Sequence, residues 1–282
     1  MVNLHCEAVL PECEMKPLED IEKSLKTVYK KSIWSKFVAA INEYKLIEDG
    51  DKIAIAISGG KDSLLLYKLF QELKKDKRRN FEFRAVNLNP GFKGEDLDNF
   101  KQNLKKLDIE CEIFDTNIWK IANEKAKDYP CFLCAKLRRG ILYSKVEEYG
   151  FNKLALGHHF DDVIETTLIN MFYAGSIKTM TPIVNSTSGK LKVIRPLVFV
   201  QEKDIINYTK KNGILAMNCG CTIEAGKTSS KRKEVKDMLK GLEERHPGIK
   251  KSIFKSMENI SLDYVYGYKL SDKSEIDDWC VY

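Results

Sequence analysis

The 282-residue sequence has no hydrophobic run long enough to cross a bilayer. The longest runs, such as Ile53 to Ile57 and Leu64 to Tyr67, fall far short of the roughly 20 residues a span needs. The N-terminus lacks the basic region of an export signal and carries acidic residues instead. No internal repeat and no low-complexity tract is present. The common nucleotide loop GxxxxGK(S/T) is missing too, which argues against a Walker-type ATPase. These absences lead us to expect a cytoplasmic chain with no membrane partner. Eight cysteines without a secretory signal argue against a disulfide framework and for metal or redox chemistry.

What is present is a globular composition, 43% hydrophobic in 32.4 kDa, enough for one large or two ordinary domains. Lys plus Arg exceed Asp plus Glu by 47 to 41, and the resulting +6 suits a polyanionic partner. The excess is uneven. Lys23, Lys26, Lys30, Lys31 and Lys36 crowd the N-terminal segment, and Lys227, Lys231, Arg232, Lys233, Lys236 and Lys240 a later one. Either cluster alone reads more readily as a solvated helix face, and finding both beside a nucleotide-activating core moves the reading toward RNA.

The most informative segment is Ser58-Gly59-Gly60-Lys61-Asp62-Ser63, placed between the alternating run Ile53 to Ile57 and the apolar stretch Leu64 to Leu66. A strand, a glycine turn and a helix start make a phosphate seat. The two glycines let several amide N–H groups face one anion at a helix N-terminus, and Lys61 adds a positive charge. SGGKDS resembles the pyrophosphatase loop of enzymes that split ATP into AMP and pyrophosphate and adenylate a carbonyl oxygen.

Around this loop the periodicity predicts helix over 18–45, then strand 53–57, helix 63–75, strand 82–88, helix 96–107 and a short strand near 112–114. Helix 135–149, strand 153–157, helix 161–173 and strand 192–197 follow, and helix resumes from about 203, interrupted by a polar stretch at 218–230. The alternation predicts an α/β fold with a doubly wound parallel sheet and helical extensions at both ends. We expect three parts: a helical extension over 1–45, an α/β pyrophosphatase domain over 46–205, and a helical region over 206–282. In such a sheet, Ser58 to Ser63, Asn87 to Asn89 and Gly157 to Asp162 should converge on one crevice beyond the strand ends.

Cys131-Phe132-Leu133-Cys134 has metal-clamp spacing, and Cys219-Gly220-Cys221 lies far downstream. Four thiolates would suit structural zinc, although CxC is a poorer second knuckle than CxxC. Three thiolates on an iron-sulfur cluster would instead leave one iron open to an external sulfur. Spacing leaves both open.

Taken together, the sequence resembles the tRNA 2-thiocytidine synthetase family, iron-sulfur, ATP-dependent tRNA thiolation enzymes with a pyrophosphatase loop. The residues that carry the resemblance are SGGKDS at 58–63, AVNLNPGF at 85–92, CFLCAKLRRGILY at 131–143, LALGHHFDDVIETTLINMFYAG at 154–175, VIRPL at 193–197, and KDML at 236–239 with His246-Pro247-Gly248. The resemblance implies a 4Fe-4S cluster, ATP and Mg²⁺ as cofactors, and tRNA and a sulfur donor as partners, the donor being free sulfide or a cysteine desulfurase system. It allows a homodimer. The implied reaction adenylates the C2 oxygen of a tRNA pyrimidine, an anticodon-loop cytidine, and replaces that oxygen with sulfur, releasing AMP and pyrophosphate.

Carried over position by position, the resemblance assigns the ATP phosphates to Ser58, Gly59, Gly60, Lys61, Asp62 and Ser63, the adenine side to Asn87 and Leu88, and close approach to the nucleotide to Gly157. It gives Asp162, with Asp161 beside it, a catalytic place through Mg²⁺, and puts Arg138 near the phosphates and the reacting base. Cys131 and Cys134 match two cluster ligands. The third is Cys221, followed by Gly226, Thr228 and Ser229 at the offsets of related thiouridine synthetases, with Cys219 as second choice. The family separates this later pair by two residues and this chain by one.

Cys111 reads as a core strand residue, Cys6 and Cys13 as free thiols, and Cys280 has no recognisable role. Which of His158 and His159 faces the crevice is open. We expect the run Lys231-Arg232-Lys233 to bind RNA from a flexible polar loop at Thr228 to Ser230, apart from the ATP site. The alternatives are a 2-thiouridine-forming thiolase, an adenylating ligase such as tRNA lysidine synthetase, metal-free thiolation through a cysteine persulfide, and a zinc-stabilised tRNA-binding protein without ATP chemistry.

Overall fold

Six strands form one sheet in the order β3-β2-β1-β4-β6-β5, parallel throughout except for the antiparallel edge pair β5–β6. The computed structural model describes residues 9–89, 95–125, 130–186, 188–217 and 225–268. The strands are β1 Asp51–Ala56, β2 Phe81–Asn89, β3 Cys111–Asp115, β4 Lys153–Ala155, β5 Ile183–Asn185 and β6 Lys192–Ile194. The helices are α1 Leu18–Lys26, α2 Ser35–Glu43, α3 Lys61–Lys74, α4 Glu95–Lys106, α5 Ile118–Lys125, α6 Pro130–Glu148, α7 Phe160–Ala174, α8 Glu202–Lys211, α9 Ala225–Arg245 and α10 Ile249–Glu258.

The alternating chemistry of the sequence thus yields the expected doubly wound sheet. Ile53, Ala54 and Ile55 are fully buried because a central parallel strand is covered on both faces. The N-terminal segment is less separate than a helical extension suggests. Ile21, Leu25, Ile33 and Phe37 have no solvent exposure and share one core with Leu64, Phe70 and Tyr208. Burying each such side chain contributes about 1.5–3 kcal/mol, so α1 and α2 are held to the sheet by packing. A single π turn at Lys30–Trp34 joins them. Two of the N-terminal lysines are drawn into this packing: Lys26 lies 2.9 Å from Glu72 and Lys36 3.5 Å from Asp204.

Three expectations need correcting. Helix α6 starts at Pro130 rather than 135, so Cys131 and Cys134 lie within its first five residues. A helix, α5, stands where none is predicted, and β5 is a three-residue edge strand too short to register as a pattern. The flexible loop anticipated at Thr228 to Ser230 is helical backbone, because α9 begins at Ala225. Cys219 and Cys221, like Cys6 and Cys280, lie outside the described residues. Cys111 is half-buried against the core as expected, and burial pushes its thiol up to about 12, which keeps it inert. The Cys13 thiol is exposed. No helix among the described residues is long and apolar enough to cross a membrane.

Candidate active site

The strand order reverses between β1 and β4, which pair with each other while their next neighbours lead in opposite directions. The carboxyl ends of these strands are where a doubly wound sheet binds ligands. A cavity of about 450 Å³ opens there, and Ser58, Asp62, Ser63, Asn87, Leu88, Arg138, Gly157 and Asp162 all line it. The three sequence segments predicted to converge do so.

The loop after β1 is shaped by its own side chains. Gly59 has φ +85°, and a Cβ there would come within 3.1 Å of the Phe100 ring. The Ser63 hydroxyl donates to Gly60 O at 2.9 Å, accepts the Ser58 N–H at 3.2 Å and lies 3.2 Å from Ser58 Oγ. Gly60 precedes the first turn of α3 in extended geometry, so the free N–H groups of that turn follow directly on the loop. From the other side, Met217 donates its N–H to Gly59 O at 2.9 Å. Gly157 has a different reason from close approach to a nucleotide alone. A Cβ on it would stand 3.1 Å from Asp62 C and from Ser63 N, so its hydrogen lets the turn after β4 pack onto the loop.

Of the residues predicted in the loop and the acidic pair, Gly59, Gly60, Lys61 and Asp161 are not on the cavity wall. Lys61 lies between Asp62 Oδ2 at 3.1 Å and Glu202 Oε1 at 3.2 Å, because the start of α8 supplies a carboxylate. Burial pulls its ammonium down, and the two carboxylates more than offset this. Asp161 faces away: it accepts from Lys250 Nζ at 2.7 Å and from the Glu202 N–H at 2.8 Å.

The residues that do face the cavity are charged and partly unsatisfied. Asp62 Oδ1 is sealed from solvent and has no hydrogen-bond partner. Burial raises its carboxyl, against the pull of Lys61 and His159. An orphaned carboxylate oxygen beside a glycine loop fits a cation carried by a phosphate ligand. Asp162 sits in the first turn of α7. Its Oδ2 accepts the His159 N–H at 3.0 Å while its own N–H donates to His159 Nδ1 at 3.3 Å, a reciprocal cap. Burial would raise its carboxyl, but His159, His158 and Arg232 hold it well below the usual carboxylate range.

The two histidines divide the work. His159 fixes the turn through its Nδ1, and its Nε2 lies 3.8 Å from Asp62 Oδ1. His158 lines the cavity with an unpartnered Nδ1, and burial lowers it to about 4, so it is neutral at physiological pH.

Sequence reasoning missed Arg139, Tyr143 and Arg195, which line the same cavity, and Glu165 and Arg232 beside it. Glu165 had a signal, being three residues beyond Asp162 on the same helix face. Arg232 had none, since a run of three basic residues reads as a solvated or RNA-facing surface. In the structure the half-exposed Arg232 reaches α7, with Nη1 3.2 Å from Asp162 Oδ1 and Nε 3.6 Å from Glu165 Oε2. The expectation that this run is independent of the ATP site is therefore corrected. Its neighbour Lys231 lies over the Tyr173 ring at 4.9 Å.

The described backbone also places the two cysteines predicted as ligands on one helix with Arg138. Cys131, Cys134 and Arg138 stand at i, i+3 and i+7 along α6, spacings that share one helix face, and Arg138 reaches the cavity.

Residues 19–217 match the PP-loop domain family. The chain is 40% identical over 228 residues to a tRNA-cytidine(32) 2-sulfurtransferase from Geotalea uraniireducens, covering 80% of this chain and 90% of the relative. A protein of the same name from Geobacter metallireducens is 35% identical over 239 residues, with 84% and 93% covered. Among solved structures, the chain is similar to the U34-tRNA thiolase NcsA from Methanococcus maripaludis with its 4Fe-4S cluster. The TM-score is 0.64 and the identity 25%, covering 83% of this chain and 79% of that one.

Proposed function

The chain belongs to the PP-loop family of tRNA-cytidine(32) 2-sulfurtransferases, and on that premise we propose how its cavity performs ATP-dependent tRNA thiolation. The substrate is a tRNA cytidine whose C2 oxygen is exchanged for sulfur, with ATP converted to AMP and pyrophosphate. The observation that carries this reading is the orphaned Asp62 carboxylate oxygen in a cavity walled by a glycine loop and by Arg138 of the cysteine-bearing helix.

The C2 oxygen of a pyrimidine is a poor leaving group. When it attacks the α-phosphorus of ATP, the α–β phosphoanhydride bond breaks and pyrophosphate departs. The backbone N–H groups of Gly59 to Ser63 at the start of α3 are suited to hold that pyrophosphate, with Asn87 and Leu88 flanking the nucleotide. Asp62 and Asp162 would hold Mg²⁺, which neutralises phosphate charge as it develops. Arg138 and Arg139 face the same space and are suited to stabilise the negative charge on the phosphate of the adenylate. Hydrosulfide sulfur then forms the bond to C2, and AMP leaves carrying the former C2 oxygen. Lys61 and Asp161 act from behind, Lys61 by fixing Asp62 and Asp161 by anchoring α8 and α10.

Cys131, Cys134 and Cys221 would hold a 4Fe-4S cluster, whose iron without a protein ligand supplies a binding place for the incoming sulfur. The donor set is of the right chemistry, since two cysteines stand three residues apart on the helix that carries Arg138, and Cys221 follows Met217, which is bonded to the loop, in sequence. Sulfide, free or released by a cysteine desulfurase system, is the donor this arrangement accepts. The target base must leave its stack to reach the cavity, which favours a loop nucleotide, and such a reaction belongs to the cytoplasm, where tRNA is modified. Product analysis tests the reading: tRNA-dependent formation of AMP and pyrophosphate supports it, and ADP with phosphate would contradict it.

A further inference from the structure

We propose that Arg232 is a positioning residue that fixes the Asp162 carboxylate from helix α9, an inference that rests on the thiolation reading above. Arg232 meets three consecutive positions on one face of α7. Nη1 lies 3.2 Å from Asp162 Oδ1, Nη2 3.5 Å from Thr166 Oγ1 and Nε 3.6 Å from Glu165 Oε2. The other oxygen of Asp162, Oδ2, accepts the His159 N–H at 3.0 Å. Both carboxylate oxygens are therefore held, one by the turn after β4 and one by a helix that lies beyond the family domain in sequence. An outer partner that fixes a ligating carboxylate sets the direction in which its remaining lone pairs can reach a metal.

A second cation on α9 makes the grip two-pointed. One turn further, Lys236 Nζ is 2.7 Å from Glu202 Oε2, and Glu202 Oε1 holds Lys61 of the phosphate loop at 3.2 Å. Val235 and Leu239 pack against Phe160, Ile164 and Leu168, which prevents α9 from sliding along α7. The chain entering the Cys219 and Cys221 segment is bonded to the same loop, through Met217 N–H to Gly59 O.

A charge that only neutralised Glu165 would have no need of Asp162. The test uses the purified full chain and compares Arg232→Gln, Arg232→Lys and the double variant Arg232→Gln/Glu165→Gln. The double variant removes the buried carboxylate that Arg232→Gln would leave unpaired, and so keeps the fold. We expect kcat for AMP formation to fall about 10- to 100-fold in Arg232→Gln and in the double variant, with KM for tRNA nearly unchanged. Arg232→Lys should recover most of the loss, because a single ammonium still reaches one carboxylate oxygen. Independently of tRNA, the Mg²⁺ concentration for half-maximal binding of a non-hydrolysable ATP analogue should rise about tenfold in Arg232→Gln.

Three results would overturn the proposal. They are an unchanged Mg²⁺ requirement, full recovery of kcat in the double variant, or a raised KM for tRNA with a shallower salt dependence at unchanged kcat. Were the wild-type chain to form no AMP with tRNA, the thiolation reading would fall, while the Mg²⁺ requirement would still decide the place of Arg232.

Discussion

Gly157 and Ser63 meet backbone to backbone: a Cβ on Gly157 would stand 3.1 Å from Ser63 N, at the first turn of α3. The turn after β4 and the phosphate loop after β1 are therefore one packed unit, and the same contact brings Asp162 to the cavity that Asp62 lines. Gly157→Ala forces the two apart by a few tenths of an ångström. It should cost about 1–3 kcal/mol of stability and weaken ATP binding, as read by thermal unfolding and by nucleotide titration. Wild-type affinity in a fully folded variant would show that the contact does not shape the loop.

Asp62→Ala removes the orphaned oxygen at the centre of the site. Turnover to AMP and pyrophosphate should fall by about 100-fold or more, as expected for loss of a group aimed at developing charge. Iron content should stay at the wild-type level, because the cysteines are on other segments. Stability should not suffer, since burying an incompletely paired carboxylate is costly. Loss of iron in this variant would show that the two sites are not separable.

Cys131→Ala, Cys134→Ala and Cys221→Ala should each abolish the brown absorbance of anaerobically purified protein and its bound iron, with nucleotide binding retained. Iron retained in Cys221→Ala and lost in Cys219→Ala would move the third ligand by two positions. A colourless wild-type protein holding zinc would replace the cluster with a structural site.

Much of this architecture was legible in the sequence because its signals are local. The strand, glycine and helix pattern around Ser58 to Ser63 states its own geometry, and alternating periodicities imply a switch-point crevice. What escaped depended on tertiary packing. Lys61 reads as a phosphate ligand until Glu202 of α8, far away in sequence, is placed beside it. Arg232 reads as surface charge until α9 packs on α7 and turns it toward Asp162. Asp161 and Asp162 are adjacent and chemically identical, yet the helix sends one to the cavity and the other to Lys250.

Glu165 gives a pH signature in the metal-free protein. Burial pushes its carboxyl up from 4.5 to about 7, against the pull of Arg232. The folded state then binds this proton more tightly than the unfolded state, so its stabilising effect is full below pH 4.5 and is lost as pH rises through 7. Glu202, held at about 2, acts with the opposite sign but only at lower pH. Denaturant unfolding between about pH 5 and 8 should show Glu165→Gln gaining on wild type as pH rises, by up to about 3 kcal/mol at 1.36 kcal/mol per pKa unit. A constant difference across that range would place the Glu165 carboxyl at its ordinary value.

Nucleoside analysis of tRNA, after anaerobic reaction of the purified, iron-loaded protein with Mg²⁺-ATP and sulfide, shows directly which base this cavity thiolates. 2-Thiocytidine should form in step with AMP and pyrophosphate and be absent without ATP. Thiolated uridine in its place, or ATP cleavage with no sulfur incorporated into tRNA, would contradict the proposed reaction.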